Sequence, residues 1–68
     1  MTDLLPISLA DQIASVRREI GMRKGVYPRW VASGKIKQDA ADREIERMEA
    51  VLKTLMDLQA KGGDDDTV

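Results

Sequence analysis

From Leu9 onward, apolar residues return at Ile13, Val16 and Ile20, at spacings of four, three and four, which lays one stripe along a helix. A second run starts at Ala41 and continues through Ile45, Met48, Leu52 and Leu55. Val51, Met56 and Leu58 widen that second stripe, so its helix can meet more than one neighbour. Pro6 biases Leu5 away from helical backbone, and residues 1–7 read as an extended lead-in. Ser8 is placed as the N-cap, with Asp11 three residues on where a capping box has its acid, and Ile7 positioned to staple onto Gln12 or Ile13. The first helix is therefore expected from Leu9 to about Lys24. Gly21 lies inside it at a cost of about 1 kcal/mol relative to alanine, which marks a close backbone approach or a weak last turn.

The stretch from Gly25 to Gly34 is the expected break. Gly25 can supply a left-handed C-terminal cap, and Pro28 pushes Tyr27 toward extended backbone while suiting the first position of a new turn. One short helical turn, Arg29 to Ser33, fits before Gly34, leaving Tyr27, Trp30, Val31 and Ile36 as an apolar plug. The second helix is expected from about Gln38 to Lys61, where Gly62 and Gly63 stop it. Asp39 with Arg43, Glu49 with Lys53, and Asp57 with Lys61 stand as acid-to-base pairs at i, i+4, each contributing about 0.2–0.5 kcal/mol. Lys37 stands where a cap would normally be serine, threonine or aspartate, so this helix start is poorly specified. Residues 62–68, with two glycines and three aspartates, form an acidic tail expected to be disordered.

These elements give an all-α fold: a two-helix antiparallel hairpin over residues 8–61 with a short helical turn at the connection. At 1.5 Å per residue the helices would be about 24 and 36 Å long, so the first would leave part of the second uncovered. A chain of 68 residues also buries only about 60 % of its unfolded surface, and chains this short usually need a metal, a disulfide or a partner chain to add stability. Two hairpins dimerising into a four-helix bundle are the economical solution, with the four-three spacing of a coiled-coil seam.

Composition narrows the chemistry. Cysteine and histidine are both absent, which removes disulfides, thiolate zinc sites, the commonest metal ligand and the commonest general base. Asp42 with Glu46, and Glu46 with Glu49, share a helix face at i, i+4 and i, i+3, but the acids Asp39, Asp42, Glu44, Glu46 and Glu49 interleave with arginine and lysine, as on a solvated surface. The glycines show no phosphate-loop or dinucleotide spacing, and Ser8, Ser15 and Ser33 have no histidine partner. The expectation is a protein without catalytic residues, cofactor or metal. No run of about 18 apolar residues and no signal-peptide pattern occurs, so a cytoplasmic address without membrane contact is the default.

The net charge of -1 conceals an uneven layout. Seven basic residues, Arg17, Arg18, Arg23, Lys24, Arg29, Lys35 and Lys37, stand between positions 17 and 37 against the single acid Glu19. Residues 38–68 hold nine acids and four bases. In a hairpin the bases would gather at the closed end, where Tyr27 and Trp30 could stack on a partner. These nine residues, the seven bases with Tyr27 and Trp30, are the candidate binding site. One function they fit is a protein-protein interaction module, probed through the tip or the uncovered stripe of the second helix. The alternative is a nucleic-acid-binding accessory protein using the basic tip. Set against both, basic residues near a helix C-terminus satisfy its dipole, and a tryptophan in a small helical protein commonly closes the core.

The string Val16-Arg17-Arg18-Glu19-Ile20, Met22-Arg23, Val26-Tyr27-Pro28-Arg29-Trp30-Val31, Ser33-Gly34-Lys35-Ile36, with Ala41 to Leu52 following, resembles small proteins of bacteriophage and prophage genomes without an established activity. The similarity runs from about residue 13 to residue 55. It implies an accessory role in a bacterial or phage-infected cytoplasm and carries over no catalytic residue. Lys37 departs from the pattern, where a small hydroxyl residue is expected as the cap of the second helix.

Overall fold

The computed structural model describes residues 6–62, and its described residues form two α-helices and no strand. Helix α1 spans Leu9–Ala32 and helix α2 spans Gln38–Ala60. The five residues between them turn the chain back, and α2 packs antiparallel along α1, with Arg23 beside Glu44, Lys24 beside Glu49 and Arg17 beside Met56. The molecule is a rod of 50 × 16 × 15 Å. The ends at residues 1–5 and 63–68, which include most of the expected lead-in and acidic tail, lie outside the described residues.

Helix α1 begins where the capping signals place it. Ser8 is extended (φ -66°, ψ 158°), and its Oγ accepts from the Asp11 N–H at 3.1 Å, satisfying one of the helix's first free donors. The staple expected of Ile7 is replaced by a polar contact. The Gln12 side-chain amide donates to the Ile7 carbonyl at 2.9 Å, while the Ile7 side chain stays 54 % exposed.

The expected break at Gly25–Pro28 does not occur, and α1 runs through both residues without interruption. Gly25 is not in the left-handed region, and Tyr27 is helical rather than extended. The reason is the stripe itself. Arg23, Tyr27 and Trp30 continue the four-three spacing of Leu9, Ile13, Val16 and Ile20, and Tyr27, two turns beyond Ile20, is buried to 6 % exposure. A proline inside a helix costs about 3 kcal/mol. Burying an aromatic side chain of 150–250 Å² at about 25 cal/mol/Å² returns roughly 4–6 kcal/mol, so packing outweighs the local preference. Gly21 likewise marks neither a close approach nor a weak turn: nothing stands within 4 Å of its would-be Cβ.

Helix α1 ends at Ala32, eight residues later than expected, and the left-handed residue that follows it is Gly34 (φ 82°) instead of Gly25. The Gly34 N–H donates to the Val31 carbonyl at 3.1 Å and the Lys35 N–H to the Trp30 carbonyl at 2.8 Å, the paired bonds of a Schellman cap. The Lys35 ammonium lies 5.6 Å from the Trp30 ring centre, in the side-chain contact that accompanies this cap. At the start of α2, Lys37 makes no side-chain cap bond, as expected. At its end, Lys61 is the C-cap and Gly62 takes φ 89°, with its N–H donating to Gln59 at 3.0 Å.

With 24 and 23 residues the helices match in length, at about 36 and 35 Å, so the expected overhang of the second helix is absent. Coverage is still incomplete. Among the described residues only Leu9, Ile13, Ile20, Tyr27 and Ala41 are buried, while Ile45, Met48, Leu52 and Leu55 of α2 are half-buried. Ala41 (2 % exposed) is the most deeply buried of the described residues, and with the large Tyr27 it borders one open depression near the reversal.

Candidate interaction surfaces

Because α1 is unbroken, the nine candidate residues do not cluster. Arg17 stands twelve residues before Arg29, about 18 Å down the helix, so only Arg29, Lys35 and Lys37 remain with Trp30 at the closed end. The central bases are engaged. Arg17 Nη2 donates to Met56 Sδ at 3.7 Å, Arg18 Nη2 to Ser15 Oγ at 3.3 Å, and Lys24 pairs with Glu49 at 3.2 Å. Tyr27 is buried, with its ring centre 5.7 Å from that of Trp30, and offers no face for stacking. Trp30 is 39 % exposed and is shared between that contact and Lys35. No ion pair forms at Arg29 or Lys37 among the described residues, and these are the free cations of the tip.

Arg23 is the best-held of the nine. It occupies a seam position, and its side chain escapes to the edge of the helix pair rather than entering the core. Its Nε donates to Glu19 at 3.1 Å, its Nη1 donates to the Tyr27 hydroxyl at 3.0 Å, and the same nitrogen lies 3.8 Å from Glu44 of α2. Arg47 in turn donates to Glu44 at 3.3 Å. The hydrogen bond to Tyr27, and after it that to Glu19, raises the Arg23 pKa above its already high ordinary value. Glu19, Arg23, Glu44 and Arg47 form a ladder of two acids and two bases across one side of the hairpin, neutral as a unit.

Glu44 and Arg47 were not among the expected site residues. An arginine at a seam position demands a partner, but the pairing joins residues 21 apart, and no local spacing identifies that partner. The three expected i, i+4 pairs of α2 are also replaced. Glu49 turns to Lys24 of the other helix, Asp57 pairs with Lys53 at 3.0 Å, and no pair forms at Asp39, Arg43 or Lys61 among the described residues. Exposed pairs contribute about 0–1 kcal/mol each, so small differences in reach decide which form.

The hairpin's two sides differ in character. On α1 the line Val16–Arg23–Trp30, and on α2 the line Glu44–Val51–Leu58, advance by seven residues and each keep to one side of their helix. The Arg23–Glu44 contact places both lines on the same side, and Val26 and Met22 extend it outward from Arg23. Met22 (57 %), Val51 (50 %) and Leu58 (46 %) are large apolar residues left exposed there. The Lys24–Glu49 and Arg17–Met56 contacts mark the opposite side. That side also carries an open depression of about 440 Å³, lined chiefly by Lys24, Tyr27, Pro28, Ala41, Asp42 and Glu46. Pro28 has no N–H to donate, so the Lys24 carbonyl lacks the donor that a regular helix supplies.

Among the described residues, no three carboxylates, histidines or cysteines gather closely enough to hold a metal ion. No described helix is long and apolar enough to cross a membrane. No protein-family model matches this chain, and no curated protein or solved structure proves similar to it, so its all-helical hairpin stands on its own residues.

Proposed function

We propose that this chain is a non-enzymatic helical interaction module, an accessory protein of the phage or prophage type. It acts in the bacterial cytoplasm, self-associates into a four-helix bundle with coiled-coil-like seams, and binds a protein partner. One observation carries the reading: on the side crossed by the Arg23–Glu44 contact the hairpin leaves Met22, Trp30, Val51 and Leu58 between 39 and 57 % exposed, while only five of the described residues are buried. Apolar surface of this extent on so small a chain is the mark of a docking surface. The test has two arms. Sedimentation equilibrium of the purified chain is expected to give twice the 7.6 kDa chain mass. Capture of partners on tagged protein, with nuclease present, is expected to retain a protein that Trp30→Ala releases while helicity is kept. A monomer that retains nothing removes the reading.

A second reading, nucleic-acid binding through the tip, rests on Arg29 and Lys37, which stand exposed without acidic partners among the described residues. The engagement of Arg23 and Lys24 by acids, and the burial of Tyr27, leave this reading with a smaller surface than the sequence offers. Loss of captured material on nuclease treatment would favour it.

A further inference from the structure

We propose that the depression between α1 and α2 is a receptor site for an arginine side chain, presented by an exposed basic segment of the protein partner. The inference rests on the protein-binding reading above and says where, and by what chemistry, a partner is gripped.

The depression is shaped by residues of both helices. Tyr27, Ala41 and Ile45 supply its apolar floor, and Pro28 supplies a wall on α1. The space stays open because α2 brings only the methyl group of Ala41 to the place where Tyr27 is buried. A polar contact flanks it on either side. Toward the reversal the Gln38 side-chain amide donates to Asp42 at 2.9 Å, and toward the middle of the rod Lys24 pairs with Glu49 at 3.2 Å. Its volume of about 440 Å³ lies in the lower part of the ~300–1,000 Å³ range of small-ligand sites, a size that suits one long side chain.

Charge selects the occupant. Lys24 is the only cation that lines the depression among the described residues, and Glu49 neutralises it. Asp42 and Glu46 stand one turn apart on α2, at the i, i+4 spacing that sets like charges against each other. Neither forms an ion pair among the described residues, and the bond that Asp42 accepts comes from the neutral amide of Gln38. Lys24, Asp42, Glu46 and Glu49 are one base and three acids, a net -2. A third acceptor joins the two carboxylates, since Pro28 leaves the Lys24 carbonyl without its helical donor.

The rim therefore offers acceptors and negative charge above an apolar floor. An arginine side chain answers both: its methylene stem covers apolar surface, and its guanidinium turns five N–H donors in a planar fork toward the carboxylates and the carbonyl. Lysine brings three donors on a more strongly hydrated point charge and fits less well. An acidic segment or a nucleic acid meets repulsion from the same rim.

The test is a two-dimensional NMR titration of the full nitrogen-15-labelled chain with a capped pentapeptide carrying arginine at its centre and glycine elsewhere. Peptides with lysine or glutamate at the centre serve as comparison. Saturable shifts are expected at the amides of Tyr27, Ala41 and Ile45, tighter for arginine than for lysine and absent for glutamate. Asp42→Asn and Glu46→Gln keep shape and remove charge, and each is expected to weaken binding about fivefold, as for a partly exposed ion pair. Asp39→Asn alters an equally unpaired acid outside the depression and should leave binding unchanged, with helicity followed by circular dichroism. The absence of saturable shifts overturns the site. So does binding that lysine matches, or that Asp39→Asn weakens as much as the other two, because either marks unselective ion pairing. Capture of partners separates this inference from the reading beneath it. A partner that the Asp42→Asn, Glu46→Gln double variant releases supports the site together with the titration. One that the double variant retains leaves protein binding standing and overturns the site as its grip. A chain that captures no protein removes the reading, and the arginine's source with it.

Discussion

Arg23 donates to the Tyr27 hydroxyl at 3.0 Å, one turn ahead of it on α1, and to Glu19 at 3.1 Å, one turn behind. The only aromatic ring buried in the hairpin is thus tied at its polar end to a cation that faces Glu44 of the second helix.

This arrangement separates what the Tyr27 ring and its hydroxyl contribute. Tyr27→Phe keeps the buried ring and frees Arg23 from one acceptor, while Glu19 and Glu44 remain beside it, so the thermal midpoint should fall only slightly. Tyr27→Ala removes an aromatic side chain from the core, a loss of about 3–5 kcal/mol, enough to unfold most of a chain this small at 25 °C. Thermal melts followed at 222 nm check both, and a Phe variant as damaged as the Ala variant would show that the hydroxyl, not the ring, holds the helices.

The glycines divide by conformation. Gly21 and Gly25 are helical with nothing within 4 Å of an added Cβ, so Gly21→Ala and Gly25→Ala should each stabilise by about 0.8–1.0 kcal/mol. That corresponds to a midpoint rise of roughly 4–8 °C. Gly34 holds φ 82° in the Schellman cap, and Gly34→Ala should destabilise by about 1–2 kcal/mol although it too has open space around it. Melts of the three variants give the signs directly.

The same contrast shows what the residues made legible. Capping at Ser8, the uncapped start at Lys37, the stop at Gly62 and the two apolar stripes follow from neighbours within a turn or two, and each stands as expected. The end of α1 does not, because Gly25 and Pro28 are local signals while the burial of Tyr27 depends on a helix that arrives later in the chain. The continuing spacing of Arg23, Tyr27 and Trp30 was the available sign, and the arginine in it concealed the stripe. That single displacement also disperses the expected basic cluster, since a longer α1 carries Arg17 and Arg18 away from the tip.

Pro28→Ala tests this account of α1. It restores an N–H opposite the Lys24 carbonyl and removes the ring from the helix, so it should stabilise by up to about 3 kcal/mol. Hydrogen exchange of the amides following residue 28 should slow in parallel. An unchanged melt would mean that the helix has already absorbed the proline by local bending.

Lys37 leaves the first turn of α2 without a side-chain acceptor and puts a positive charge at the end of the helix that favours a negative one. Lys37→Asp should supply the missing bond and stabilise by about 0.5–2 kcal/mol, whereas Ser8→Ala should remove the bond to Asp11 and destabilise by about 1 kcal/mol. Chemical denaturation of the two variants reads both, with an unchanged denaturant slope expected for each.

Lys37→Asp also bears on the tip, because it removes one of its three cations, Arg29, Lys35 and Lys37, none of which has an acidic partner among the described residues. If the tip held nucleic acid through Arg29, Lys35 and Lys37, binding to a single-stranded oligonucleotide would fall with salt at a slope of about -2, from roughly 0.7 for each of three phosphates. The pair Arg29→Glu and Lys37→Asp would then abolish it. For an interaction module the expected result is no binding in 0.15 M salt, with the double variant keeping wild-type self-association because its sites lie at the end of the rod, away from Val51. Fluorescence anisotropy with a labelled oligonucleotide measures the first and sedimentation the second. Binding with that slope, lost in the double variant, would move the function from the apolar side of the hairpin to its basic tip.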